Sequence, residues 1–214
     1  MAFATDRDLL ELEPGVFRDA AWTAQRVING TGSIAGTTLT RGAGGVTFAD
    51  ARIDAGSVVL IDSAPVEVVE RTGALVVTVS RLRASVDDDP IPLADDATVK
   101  IEAYTFGAAI GGVHRRVLRM LGIEPDDTAE DALTEASIVN PTALTRLEAL
   151  GALAAVYAAA SAAGPVGTEM GERAEAYRRR FADERQRAAA RIDLDGDGVA
   201  DSTRRLNVIQ FVRG

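Results

Sequence analysis

Cysteine is missing from all 214 residues, so disulfides, thiolate metal sites and cysteine nucleophiles are excluded. Histidine occurs once, at His114, which rules out multi-histidine metal centres and leaves a single imidazole for base chemistry. A hydrolase would have to work through that residue or through carboxylates, and the expectation is that the chain is not an enzyme. Lysine is as scarce, Lys100 being the only one, and aromatic residues make up 5%. Cations are outnumbered: 23 basic against 32 acidic side chains give a formal charge of -9, which argues against a general nucleic-acid binder, because gripping phosphates needs clustered cations. The opening residues Met1 to Asp8 have neither the basic start nor the apolar run of a signal peptide. The one membrane-like stretch, Leu150 to Ala163, has about fourteen residues where roughly twenty are needed, and it reads as a packed helix.

What is present suffices for a folded protein. With 47% hydrophobic and 26% charged residues, the chain can build one ordinary core or two small domains. A short helix is expected over Asp6 to Leu12, capped by Thr5 and closed by Pro14 and Gly15. Short β-rich runs follow at residues 37–40, 58–61, 66–69, 75–79 and 98–101, separated by glycine, aspartate and proline, the residues of tight turns. Strands this short and this close predict a small antiparallel barrel or sandwich.

Beyond Thr105 the periodicity becomes helical. Ile110, Val113, Val117, Leu118 and Leu121 form one stripe, ending at Gly122. Asn140 and Pro141 start a second helix bearing Leu144, Leu147, Leu150, Leu153 and Tyr157, with Gly151 and Ala154 small enough to admit another backbone. Met170, Ala174, Tyr177, Phe181, Ala188 and Ile192 lie on one stripe of a third, from Thr168 to Arg191, roughly 36 Å long at about 1.5 Å per residue. The fold class is therefore α+β: residues 1–32 an N-terminal helix and linker, 33–104 a small β domain, 105–205 a helical bundle domain with a long C-terminal helix, and 206–214 an extended tail. Charge follows this division. Up to Tyr104 there are sixteen acidic and nine basic side chains, beyond it sixteen and fourteen.

Asp193, Asp195 and Asp197 with Gly198 have the Asp-x-Asp-x-Asp-Gly spacing of an EF-hand-like loop, in which alternate carboxylates converge on one calcium ion. Val199 would add a backbone carbonyl and Asp201 a direct or water-mediated ligand. The twelfth position, where a bidentate glutamate belongs, is Arg204, so a plain turn that ends the helix and reverses the chain stands as the simpler reading. Gly30 to Gly36 lacks both dinucleotide spacing and a P-loop lysine, and reads as a flexible approach to the first strand. His114 is expected at a helix surface or interface, and Asp87-Asp88-Asp89 with Asp95-Asp96 at a solvated loop between strands. The tail from Leu206 through Val208, Ile209, Phe211 and Val212 carries apolar groups on both faces of an extended strand, so it either folds back or adds to a sheet in a neighbouring subunit. Arg204, Arg205 and Arg213 would draw it to an acidic surface.

Residues 174–184, Ala-Glu-Ala-Tyr-Arg-Arg-Arg-Phe-Ala-Asp-Glu, leading through Ala188 to Asp193-Leu194-Asp195-Gly196-Asp197-Gly198, resemble the last helix and terminus of head-tail adaptor (connector) proteins of tailed bacteriophages and gene transfer agents. Residues 46–61, with 66–69 and 75–79, look like a small barrel module that recurs in phage neck and tail proteins. The resemblance implies a virion structural protein of the head-tail neck, assembled in the bacterial host cytoplasm. Such a protein forms a homo-oligomeric ring, in that family a dodecamer, beneath the portal protein. DNA passes through the ring without sequence-specific binding, and no membrane is involved. By the same resemblance Leu206, Val208, Ile209, Phe211 and Val212 would dock on the portal, and other neck or tail proteins, a stopper or tail terminator, would follow. The competing expectations are a head-completion or tail-terminator protein, and a calcium-dependent binding module.

Overall fold

A computed structural model of the chain describes residues 2–127, 129, 132–163 and 169–206. Helices and antiparallel strands are both present, as an α+β chain requires. The chain divides into two units: residues 5–107 form one, and residues 2–4 join the described residues from 108 onward to form the other. The division expected near residue 104 lies close to the second crossing. The separate N-terminal segment 1–32 does not appear as such, since its last residues run into the first strand of the barrel.

In the first unit, helix α1 (Asp6–Leu12) opens with the predicted Thr5 cap, and the Asp8 carboxylate accepts the Thr5 N–H at 2.7 Å. A one-turn helix α2 (Val16–Asp19) follows. The strands are β1 (Gln25–Ala35), β2 (Thr38–Arg41), β3 (Val58–Ile61), β4 (Ala64–Arg71), β5 (Val76–Ser80) and β6 (Asp96–Thr105). They close into an antiparallel barrel in the order β1-β2-β5-β4-β3-β6, so the β1–β6 pairing leaves the sheet no open edge. Asp62 and Ser63, both at positive φ (49° and 73°), make the two-residue connection between β3 and β4, a backbone shape that matches the twist of paired strands. Leu39, Val59, Val68, Val77, Val79 and Ile101 fill the interior, with Phe48 and Ile53 added from the connection between β2 and β3.

Strand β1 was not expected. Its Asn29, Gly30 and Gly32 break the β-rich pattern, and the run read as a flexible approach is in fact a paired strand. Gly32 is required there: a Cβ would lie 2.2 Å from the Thr40 carbonyl oxygen and 2.5 Å from Ile101 Cδ1, beside the point where the β1–β6 register slips.

The second unit holds α3 (Gly107–Met120), α4 (Thr142–Ala163), α5 (Glu169–Arg187), β7 (Ala189–Ile192) and β8 (Ser202–Arg205). Tyr157 stacks on Tyr177 at 5.7 Å, and Gly151 meets Phe181, contacts whose numbering runs in opposite senses, so α4 and α5 are antiparallel. A Cβ on Gly151 would come within 2.7 Å of Val113 and 2.9 Å of Phe181, which makes this glycine the point where α3, α4 and α5 approach one another. α4 is long and apolar enough to cross a bilayer by length and composition, yet 61% of its apolar window is buried, as in a core helix. Asn140 does not cap it. That side chain binds β7 instead, donating to the Ala189 carbonyl at 3.2 Å and accepting the Arg191 N–H at 2.6 Å.

The long C-terminal helix is shorter than the apolar stripe implied. It spans 19 residues, about 28 Å, and stops at Arg187. Tyr177 and Phe181 are buried along it as expected, but Ala188 and Ile192 belong to the stretch that continues as strand. β7 is held on both sides: β8 pairs with one edge, while the Val139 N–H reaches Arg191 O at 3.0 Å and the Asp193 N–H reaches Ser137 O at 2.9 Å on the other. These extended partners outbid a further helical turn.

Candidate functional site

The aspartate loop does not end a helix. It spans the tip of the β7–β8 hairpin. Asp193, Asp195 and Asp197 offer carboxylate oxygens within 4.8 Å of one another, the cluster that the spacing predicted. Gly196 (φ 82°) and Gly198 (φ 83°) supply the left-handed residues that the turn needs. Asp193 is half of the loop's own scaffold. Its Oδ1 accepts the N–H groups of Asp195 (3.2 Å) and Gly196 (2.7 Å), and its Oδ2 that of Gly198 (2.7 Å). These backbone donors, Gly198 first, hold the Asp193 carboxyl below the usual carboxylate range.

Asp201 stands apart from the three. Its Oδ2 accepts the Leu194 N–H at 2.7 Å and closes the mouth of the hairpin. The Val199 N–H donates to Asp197 Oδ1 at 2.7 Å, and its side chain is exposed. Arg204, in the place of the twelfth-position glutamate, donates to the Leu121 carbonyl. The loop thus brings the three carboxylates together and uses their oxygens for its own turns.

Leu206, expected among the docking residues, is buried, and its N–H donates to Ala188 O at 3.4 Å. It anchors the end of the hairpin. Val208, Ile209, Phe211 and Val212 lie outside the described residues.

His114 is not a surface residue. It is buried, with Nδ1 3.0 Å from Glu148, Nε2 3.3 Å from Glu135, and the Phe3 ring set edge-on at 4.7 Å. Glu148, fully buried on α4, also accepts the Ala4 N–H at 3.2 Å, while Thr145 donates to Phe3 O at 3.1 Å. Burial pushes the Glu148 carboxyl up, against the His114 hydrogen bond. Both ring nitrogens are engaged, and the cluster fastens residues 3 and 4 to α3 and α4. Positions 114, 135 and 148 sit on three elements with no shared spacing.

In the barrel unit, Glu67 is wholly buried between two arginines. Arg7 Nε binds one carboxylate oxygen, and Arg83 binds the other through Nε at 2.5 Å and its backbone N–H at 3.1 Å. Arg83 Nη1 then reaches the Val86 and Asp88 carbonyls, which fixes the exposed acidic loop at Asp87 to Asp89. A cleft of about 660 Å³ on the same unit includes Asp6, Arg26, Arg52, Ser57 and Thr105. Asp6 accepts the Phe106 N–H at 2.9 Å, and burial raises its carboxyl to about 6.

Comparison of the chain with protein-family models, with curated proteins and with solved structures finds no match.

Proposed function

We propose that the chain is a structural subunit of a tailed-phage neck, a head-tail adaptor that joins portal and tail components in a ring through which DNA passes. The observation that carries this reading is the end of the helical unit. α5 leads into a hairpin fixed on both edges of β7, and buried Leu206 anchors the point from which the apolar residues Val208, Ile209, Phe211 and Val212 continue. A rigid stem before a short apolar segment lowers the ordering cost of docking that segment on another chain. The resemblance of residues 174–198 to adaptor termini supplies the partner, a portal. The acidic surface suits a conduit that repels DNA rather than one that reads it.

Phe211→Asp, combined with truncation after Leu206 in a separate variant, tests the docking role without disturbing the buried anchor. Both should abolish co-sedimentation with the cognate portal while circular dichroism stays unchanged; undiminished recruitment sinks the adaptor reading. A tail terminator or head-completion protein would instead bind a neck component and ignore the portal.

A second reading rests on the convergence of Asp193, Asp195 and Asp197, which makes the hairpin tip a calcium-binding loop. Calorimetry with calcium decides it, since neither heat nor a thermal shift would leave the loop as a turn alone.

A further inference from the structure

Six strands close the barrel, but one stretch of β1 is bonded on a single side. β2 pairs only with Gly32 to Ala35, and the last bond on that side runs from the Gly42 N–H to the Thr31 carbonyl at 2.8 Å. From Gln25 to Gly30, about 20 Å at roughly 3.3 Å per residue, β6 is the only strand partner among the described residues. Backbone groups in an antiparallel ladder alternate sides, so Asn29 points its N–H and C=O the way Thr31 does, away from β6. Lys100, opposite Thr31, has the matching phase: its N–H and C=O both bond to Asp62. Val27 is the extra residue of the bulge between Arg26 and Ile28 and has no β6 partner. Unpaired groups in a row of this kind are a template for another strand.

The cleft of about 660 Å³ lies along this stretch. Gln25 and Arg26, whose side chains leave opposite faces of the strand, both border it, so it follows the edge and not one face. Val46, Ala51 and Ile53, from the connection between β2 and β3, add apolar surface for alternate side chains of an inserted strand.

Charge decides which strand fits. The carboxylates on the cleft are already engaged: buried Asp6 accepts the Phe106 N–H at 2.9 Å, and Asp50 accepts the Thr47 N–H and hydroxyl at 3.2 and 2.7 Å. Its cations are not. The Arg52 side chain has no hydrogen bond or carboxylate among the described residues, and Arg26 stands 3.7 Å from Glu102, which Lys100 holds more closely at 2.8 Å. Arg52 is kept at φ 55°, a shape that glycine adopts more easily. Asp95 and Asp96 sit at the other end of β1, beside Gly36 and Ile34, too far to repel a chain in the cleft at physiological salt.

We propose that β1 from Gln25 to Asn29 is a docking site for an extended acidic segment of another protein, which adds as a strand along the cleft and sets carboxylates against Arg26 and Arg52. The site does not depend on the adaptor reading.

The test is heteronuclear NMR of the full chain with a capped hexapeptide of alternating valine and glutamate. Saturable shifts are expected at the Val27 and Asn29 amides and at the Arg52 Nε–H, with slower hydrogen exchange at Asn29. A peptide with lysine in place of glutamate, and the glutamate peptide with its backbone N-methylated, should each weaken the response by about tenfold or more, as should Arg52→Gly, which suits the positive φ. Truncation after Leu206 should leave the response unchanged, which separates this site from the tail. No shift at millimolar peptide, equal binding of the lysine peptide, or shifts that come with rising protein concentration alone would overturn the proposal. So would a response given only by the truncated variant, since the tail would then be the occupant.

Discussion

Replacing Glu67 by alanine should be among the most damaging single changes available to the barrel unit. The carboxylate is wholly buried, and each of its oxygens answers a guanidinium whose side chain is at most 6% exposed. Removing one partner of a buried ion pair costs about 3–5 kcal/mol, because the remaining charge is left without an opposite. Here two guanidinium groups lose their anion together, along with the Arg83 N–H, so the upper part of that range applies. For a unit of this size about 1 kcal/mol moves the melting midpoint by roughly 4–8 °C, which puts the expected fall at about 16 °C or more. Trp22, the only tryptophan, belongs to this unit and gives its fluorescence as the reporter. The combined variant Arg7→Met, Glu67→Leu, Arg83→Met should recover part of the loss, since it removes the stranded charges. It cannot recover all, because the Arg83 bonds to Val86 and Asp88 go as well. A midpoint for Glu67→Ala within about 3 °C of the parent, a shift worth under 1 kcal/mol, would refute the reasoning.

Asp6 gives a pH prediction of definite sign. Its folded carboxyl titrates at about 6 against 3.8 for the free group, so the folded unit binds this proton more tightly than the unfolded chain. That stabilisation is complete below about pH 4 and is lost as pH rises to about 6, on the order of 3 kcal/mol in all. Asp6→Asn should flatten this part of the stability-pH curve in denaturant titrations; a curve parallel to that of the parent would contradict it. Gly151→Ala should destabilise the helical unit by about 1–3 kcal/mol through contact with Val113 and Phe181, read from ellipticity at 222 nm during unfolding. A neutral result would mean that the three helices separate at little cost.

Where local composition and final structure agree, the elements were readable. Val58 to Ile61 is an unbroken β-branched and aliphatic run between turn residues, and β3 has those bounds. α1 and its Thr5 cap follow equally directly, because a capping box is a local device. β1 was hidden for the opposite reason. Its glycines have no propensity for strand, and what holds it is its pairing with eight residues of β6, far along the chain. The end of α5 misled because Ala188 and Ile192 keep helical spacing, while the bonds that make them extended come from Ser137, Val139 and residues 202–205. Asp193, Asp195 and Asp197 were legible as a cluster from spacing alone, whereas the different duty of Asp201 was not. The Glu67 triad and the surroundings of His114 join residues 16 or more positions apart, and nothing in their sequence neighbourhoods announces them.

Residues 3 and 4 are seated against His114, Glu148 and Thr145, yet more than a hundred residues separate them from those partners. During synthesis the barrel has all its strands once β6 leaves the ribosome, while residues 3 and 4 stay without their binding groove until α3 and α4 emerge. Growth therefore imposes an order, barrel first and helical unit last. A fragment beginning at residue 108 would leave the buried Glu148 carboxylate short of an amide donor, so dissecting this protein calls for excising the barrel and rejoining the flanks rather than cutting the chain once.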